Sequence, residues 1–448
     1  MHAIAVGLAA VALALAACRE GFYVDPTFCS DHPGNAACPA PAGAAGGAGA
    51  AGADGAGASG EGGGQSGLGG SAGLGGASGA AGAGSGGAGG LACAAPEVGC
   101  DGACVDLKAS DAENCGACGR SCRSATCEAG ACVPEALTAG GEVAPYALAD
   151  DGTSLYWVSP AVKAGVGPRL RRAPKATPGG ASEALFPNVD ARARSLAATG
   201  GKLYWGELGA SQGVFSGTPG ATFPDAPFAA DQLDVRHLAV ADGKAFWSVG
   251  GSAAVRGKAL AGGAIDPSLL GQDAPGWVAA DEAGALYWVA GVTREVRRAK
   301  AAAPGYETFA AAPGVVAVEL AGERVYWADA AAGTVRSALK TDAPPVAGRV
   351  EFGGHGRVEG FRVEGGTLYV LALDGGALGA WRKGEGDEEP LLLGKVAARA
   401  VGYAGNPFGA ARVLVDATHV YFADPGTVDV GQVVPESQGD GAVYRVAR

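Results

Sequence analysis

Three arginines, a histidine, an acid and two large aromatics recur at equivalent places along this chain. Seven aromatic phrases, led by Tyr156, Tyr204, Phe246, Tyr287, Tyr326, Tyr369 and Tyr421, set the frame. Ten residues before these stand Tyr146, Arg194, Arg236, Trp277, Val316, Glu359 and Ala411. Nine before them stand Ala147, Ser195, His237, Val278, Ala317, Gly360 and Arg412. Brought together, Tyr146, Arg194, Arg236, His237, Trp277, Glu359 and Arg412 suit an anionic or sugar ligand. Arginine forks take carboxylate or phosphate, and aromatic rings stack on flat faces. The plainer alternative is that these side chains are solvated or pair with Glu359.

Catalytic patterns are sparse. There is no nucleophile elbow, no HExxH and no phosphate-binding glycine loop, and the five histidines include no metal-spaced pair. His237 beside Arg236 suits a lyase, and Glu359 with Asp416 suits a glycoside hydrolase. Asp150-Asp-Gly-Thr-Ser154 is an imperfect sialidase Asp-box. Asp424, Asp429, Glu436 and Asp440 gather among glycines but lack the alternating order of a calcium loop, so a solvated acidic loop is expected there. No metal and no cofactor is expected.

The elements that position these residues follow from spacing. Successive lead aromatics lie 48, 42, 41, 39, 43 and 52 residues apart, the repeat length of β-propeller blades rather than of helical solenoids. Each unit divides into four strands. In the fourth they are Val278–Asp281, Leu286–Val289, Glu295–Arg298 and Tyr306–Phe309. The second strands are apolar throughout, as in sheets covered on both faces, whereas third strands such as Val255-Arg256, Val296-Arg297 and Val335-Arg336 alternate and should face partly outward. Asp151-Gly152, Gly200-Gly201, Asp242-Gly243, Ala283-Gly284 and Gly365-Gly366 mark the first hairpins. The seventh unit ends on a third strand, Ala442–Val446, and Glu135-Ala136-Leu137-Thr138 matches the outer strands elsewhere. It is expected to complete blade seven and close the ring. The fold class is all-β, a seven-bladed β-propeller over 134–448 whose candidate site lies at the mouth of the central channel.

The repeats resemble the YWTD propellers of lipoprotein-receptor ectodomains and, more broadly, the NHL and TolB-like group. Tyr326-Trp-Ala-Asp329 is the nearest match, although the YWTD receptors have six blades and this chain has seven units. The resemblance implies a platform for protein or glycan recognition.

All eleven cysteines lie at or before Cys132. Ala3 to Ala17 is an apolar run too short to span a bilayer as a helix, and it ends in Leu15-Ala16-Ala17-Cys18. This resembles a bacterial lipobox, which implies removal of 1–17 and acylation of Cys18, hence a lipid bilayer as partner. A buried helix or an unlipidated secretory signal is the alternative. Arg19 stands where lipoproteins kept in the inner membrane often carry Asp, so the resemblance favours the outer membrane. A lead over 18–38 holds Cys29 and Cys38, expected to pair with each other in an oxidising compartment. Residues 39–91 are almost wholly Gly, Ala and Ser, with too little apolar side chain to repay ordering. They are expected to form a disordered tether with an r.m.s. reach on the order of 40 Å.

Residues 92–133 carry Cys93, Cys100, Cys104, Cys115, Cys118, Cys122, Cys127 and Cys132. Disulfides are expected, with 105 possible connectivities. Zinc at Cys100, Cys104, Cys115 and Cys118, or redox chemistry at Cys115-Gly-Ala-Cys118, are the rivals. Gly99-Cys-Asp-Gly-Ala-Cys-Val-Asp-Leu107 and Asp111-Ala-Glu-Asn-Cys-Gly-Ala-Cys-Gly119 resemble small cysteine-rich modules of exported myxobacterial proteins. A net charge of −12 with no basic run argues against nucleic acid as a partner. The sequence therefore predicts a lipid-anchored envelope protein that recognises an envelope protein or glycan. A propeller lyase or glycoside hydrolase is the alternative.

Overall fold

The computed structural model describes residues 92–448 except 110, 160–168, 187–192, 208–211, 223–225, 251, 267–272, 301–304, 398–412, 430–435 and 438. Cys18, Cys29, Cys38, the Gly/Ala/Ser segment and Arg412 lie outside the described residues. Within them the chain contains strands and no helix, and seven sheets form the blades of a propeller. The inner strands are Tyr146–Asp150, Ala193–Thr199, Val235–Ala241, Val278–Ala280, Val315–Ala321, Arg357–Glu364 and Val413–Val415.

The repeated aromatics explain why the blades assemble. On a strand, neighbouring side chains point to opposite faces of the sheet. The first aromatic of each phrase therefore packs against the next blade and the second against the preceding one. In blade five, Tyr326 packs with Phe361 and Leu368 of blade six, and Trp327 with Tyr287 and Phe309 of blade four. Tyr204 and Trp205 divide in the same way between blades three and one. Tight turns fix the register. Gly200-Gly201, Asp242-Gly243 and Gly365-Gly366 all have positive φ at both residues and join directly paired strands, as two-residue hairpins require.

Ring closure follows the sequence expectation. Blade seven runs Val413–Val415, His419–Asp424, Ala442–Ala447 and then Glu135–Ala136, with Arg445 opposite Glu135 and Tyr444 opposite Ala136. The Leu137 amide continues the ladder to the Val443 carbonyl at 2.7 Å.

Among the described residues blade three has three strands, with residues 267–272 lying outside them. Beyond its third strand the Asp266 amide donates to the Gly257 carbonyl. Two expectations are corrected. The third strand of blade four is buried along its whole length, because Arg298 is fixed by Glu307 and the Lys340 carbonyl while Arg297 lies over the Tyr306 ring. Its outer strand is Glu307–Ala310, one residue later than expected.

The cysteine module has four disulfides, Cys93–Cys104, Cys100–Cys118, Cys115–Cys127 and Cys122–Cys132. Cys100, Cys104, Cys115 and Cys118 each bond elsewhere than the zinc or CxxC readings require. The sulfurs of Cys115, Cys122 and Cys127 come within 4.8 Å of one another because two disulfides lie side by side. Each bridge stabilises so small a module by roughly 2–4 kcal/mol.

The module is not a free bead. Its buried disulfides share a core with Leu378, Leu393, Phe422 and Val446 of blades six and seven, covering the exposed edge of blade six. Buried Arg120 donates to the Cys115 carbonyl at 3.0 Å and to the edge carbonyls of Leu392 and Leu393 at 3.2 and 2.6 Å. Gly394 permits this approach, since a Cβ there would lie 2.5 Å from the Cys132 carbonyl oxygen. Arg120→Ala should cost about 2 kcal/mol, the scale of hydrogen bonds from a charged donor. It should also speed amide exchange along Leu391–Ala397, and unchanged exchange there would contradict docking through Arg120.

Candidate functional site

Inner strands begin on one face of the ring, and most of them begin with a bulge. In blades three, five and six the register skips one residue, leaving Arg236, Val316 and Glu359 without a partner on the second strand. In blades one and two it shifts between Tyr146 and Ala149 and between Ala193 and Leu196, the latter interval containing Arg194. Bulges re-aim side chains, and here they set Arg194, Arg236, Val316 and Glu359 apart from the regular ladder.

Arg194 and Arg236 come together on one carboxylate. Asp234 Oδ2 lies 2.8 Å from Arg236 Nε, and Asp234 Oδ1 lies 3.5 Å from Arg194 Nη1. Arg236 Nη1 also donates to the Ala274 carbonyl at 3.2 Å. Burial pushes the Arg194 guanidinium below its ordinary range, and Asp234 acts against that shift. Gly250 makes the arrangement possible, because a Cβ there would stand 2.0 Å from Asp234 Oδ2 and 2.4 Å from Arg236 Nε. Asp234 was not among the residues expected from the sequence, although its place two residues before a bulged arginine is a usable signal.

His237 and Trp277 also meet, stacked with centroids 3.9 Å apart. Both line the central channel. The backbone amide of Val278 donates to His237 Nδ1 at 3.2 Å, which places the proton of the neutral ring on Nε2. Burial pushes this imidazole down to about 3. His237 is thus a neutral hydrogen-bond donor, poorly suited to the general base of a lyase.

Two expected mouth residues are not presented to a ligand. Tyr146 is 2% exposed and packs between blades one and two with Leu196 and Trp205. Glu359 is 4% exposed and ion-paired with Arg357 within its own strand. Of the described mouth arginines, Arg194 and Arg236 pair with Asp234 rather than with Glu359.

The hydrolase pairing fails on geometry. Glu359 stands near the start of an inner strand, whereas Asp416 follows the end of one, on the opposite face. Asp416 is bound to Lys175 Nζ at 2.6 Å and accepts from the Tyr421 hydroxyl at 2.9 Å. The imperfect Asp-box is the corresponding turn of blade one, where Asp151 accepts from the amides of Thr153 and Ser154 and from the Tyr156 hydroxyl. In the glycine-rich loop of blade seven, Asp424 is buried rather than solvated and accepts from the Gly426 amide, while Asp440 binds the amide and hydroxyl of Thr427. Asp429 and Glu436 are backbone partners in a two-stranded ladder.

No family model matches the chain, and no curated protein matches it. Among solved structures, the chain is similar to the following three. A virginiamycin B lyase from Staphylococcus aureus, as a catalytically inactive variant with quinupristin, is 10% identical with TM-score 0.46, over 68% of this chain and 96% of that one. A chain of a nidogen/laminin complex is 14% identical with TM-score 0.39, over 54% and 97%. The computationally designed Ika8 protein is 12% identical with TM-score 0.42, over 70% and 100%. Likenesses this distant carry nothing about ligand or activity.

Proposed function

We propose that this is an exported, lipid-anchored envelope protein whose propeller recognises a protein or glycan through an anionic group at the channel mouth. The observation that carries the reading is the convergence of Arg194 and Arg236 on the single carboxylate of Asp234. Both guanidiniums contact the same carboxylate, on a chain that is acidic overall. Guanidinium forks bind carboxylate, sulfate or phosphate in defined orientations. His237 adds a neutral donor, and its stack with Trp277 offers a flat apolar neighbour. Recognition suits these groups better than lyase or hydrolase chemistry, because among the described residues Glu359 is paired with Arg357 and Asp416 lies on the opposite face. Anchorage through Cys18 rests on the lipobox-like run that precedes it.

The test is binding of the full chain to acidic glycans, peptidoglycan fragments and envelope proteins. Arg194→Ala and Arg236→Ala should each weaken binding by about tenfold or more, the effect of losing a charge-assisted contact. Binding indifferent to both substitutions would remove the mouth from the reading. Turnover of a bound glycan, lost in His237→Ala, would restore the enzyme. Palmitate labelling in an exporting host should disappear in Cys18→Ser, and persistent labelling would refute the anchor.

A further inference from the structure

The channel below the mouth contains a feature that the recognition reading does not use. Seven inner-strand residues lie opposite the lead aromatics: Ala149, Ala197, Ala239, Ala279, Glu319, Arg362 and Leu414. Four blades use alanine there, which leaves space. Blades five and six instead place an acid and a guanidinium side by side, both lining a channel of about 450 Å³. Burying the Glu319 carboxylate where alanine serves elsewhere has a desolvation cost that stability alone does not require.

The pair is loosely made. Arg362 Nη1 is 3.5 Å from Glu319 Oε1, while Glu319 Oε2 accepts from the Val363 amide at 3.1 Å. Glu319 is therefore committed to backbone, and its side chain is only 12% exposed. Arg362 keeps 50% of its side-chain surface accessible. The other ionised side chain lining the channel among the described residues, Asp150, is bound by Lys175 at 3.1 Å. Leu148, Leu196, Leu238, Leu320, Val363 and Leu414 add apolar atoms to the rest of the lining. A cavity of this size with a few placed polar groups has the make-up of a small-molecule site.

We propose that the channel binds a small monocarboxylate with an apolar body, its carboxylate held by the Arg362 guanidinium and its body against the leucine and alanine wall. A single charge fits best, because Glu319 remains beside Arg362 and a multiply charged phosphate would meet its repulsion. This site is separate from the Arg194–Asp234–Arg236 cluster and stands or falls independently of mouth recognition.

Calorimetry on the full chain with phenylacetate and octanoate, and with 2-phenylethanol as the uncharged control, tests it. Both carboxylates should bind saturably and the alcohol should not. Arg362→Gln should weaken binding by about tenfold or more, the loss of a charge-assisted contact. Glu319→Gln keeps an acceptor for the Val363 amide, removes the competing charge and should tighten binding. Leu339→Ala, exposed and outside the channel lining, should leave it unchanged. The proposal is overturned if neither carboxylate saturates, if the alcohol binds equally well, or if Arg362→Gln has no effect. Should Arg362→Gln fail to fold, Glu319→Gln alone decides, and unchanged or weaker binding by that variant also overturns it.

Discussion

Leu137→Ala should lower the free energy of unfolding by about 2–5 kcal/mol, the range for truncating a fully buried leucine. Leu137 is 0% exposed, and it follows a closing strand only two residues long. Its side chain packs with Leu155 and Trp157 of blade one and with Tyr421 and Val443 of blade seven, so it lies on the seam where the ring meets itself. A cavity there weakens both the strand pairing and the contact between first and last blades. Urea unfolding monitored by tryptophan fluorescence reads the effect, with Leu339→Ala as control, since Leu339 is 39% exposed. Equal stability of the two variants would mean that residues 135–137 do not close the propeller.

The second large effect lies beside the same seam. Lys175 is bound by Asp150 and Asp416 and lies 4.8 Å from the Tyr421 ring centroid. Arg445 ties the closing strand to this cluster, pairing with Glu135 at 2.7 Å and donating to the Lys175 carbonyl at 2.8 Å. Asp416→Asn keeps an oxygen for the amides of Thr418 and His419 but sets an amide group against the Lys175 ammonium and the Tyr421 hydroxyl. Breaking one side of a largely buried pair costs about 3 kcal/mol.

The pH dependence has a defined sign. Burial acts to raise Asp416, but Lys175, the amides of Thr418 and His419 and the Tyr421 hydroxyl hold it well below the ordinary carboxylate range. Asp151 is likewise opposed by burial and still lowered to about 2 by Tyr156, Ser154 and Thr153. For carboxyls depressed in the folded state, the stabilisation is complete above the unfolded value, about 3.9 for aspartate, and is lost as pH falls through the folded one. Wild-type stability should thus fall steeply below about pH 4. Asp416→Asn should start lower and fall less steeply over the same interval, and parallel curves would show that Asp416 is not depressed.

Both effects concern ring closure, which is legible in the order of the residues themselves. The spacing of Tyr156 through Tyr421 counts the blades, since one blade buries its two faces only with a fixed complement of strands. Glu135-Ala136-Leu137 can be recognised as the closing strand because a propeller cannot leave its seventh sheet one strand short at a seam. The alternation of Tyr326 and Trp327 between neighbouring blades follows from the two-residue period of a strand. The same periodicity aligns Arg194 with Arg236, because equivalent positions of a repeat converge on the axis.

Other features depended on the folded chain. Tyr146 and Glu359 share the register of the arginines yet face inward, a matter of packing at each bulge that periodicity does not encode. Asp234 acquires its role only where the loop after blade two turns back beside Gly250. The disulfide partners, only 10 to 18 residues apart, depend on how the module itself folds, and the docking of Cys115–Cys127 on blades six and seven through Arg120 depends on contacts between segments more than 250 residues apart. By itself the sequence determined the number of blades, their order, the closing strand and the face on which side chains converge, because these repeat locally. Which of those side chains reach a ligand, which carboxylate holds them, and where the cysteine module sits were decided by tertiary structure alone, because each depends on surfaces that exist only once distant strands have packed.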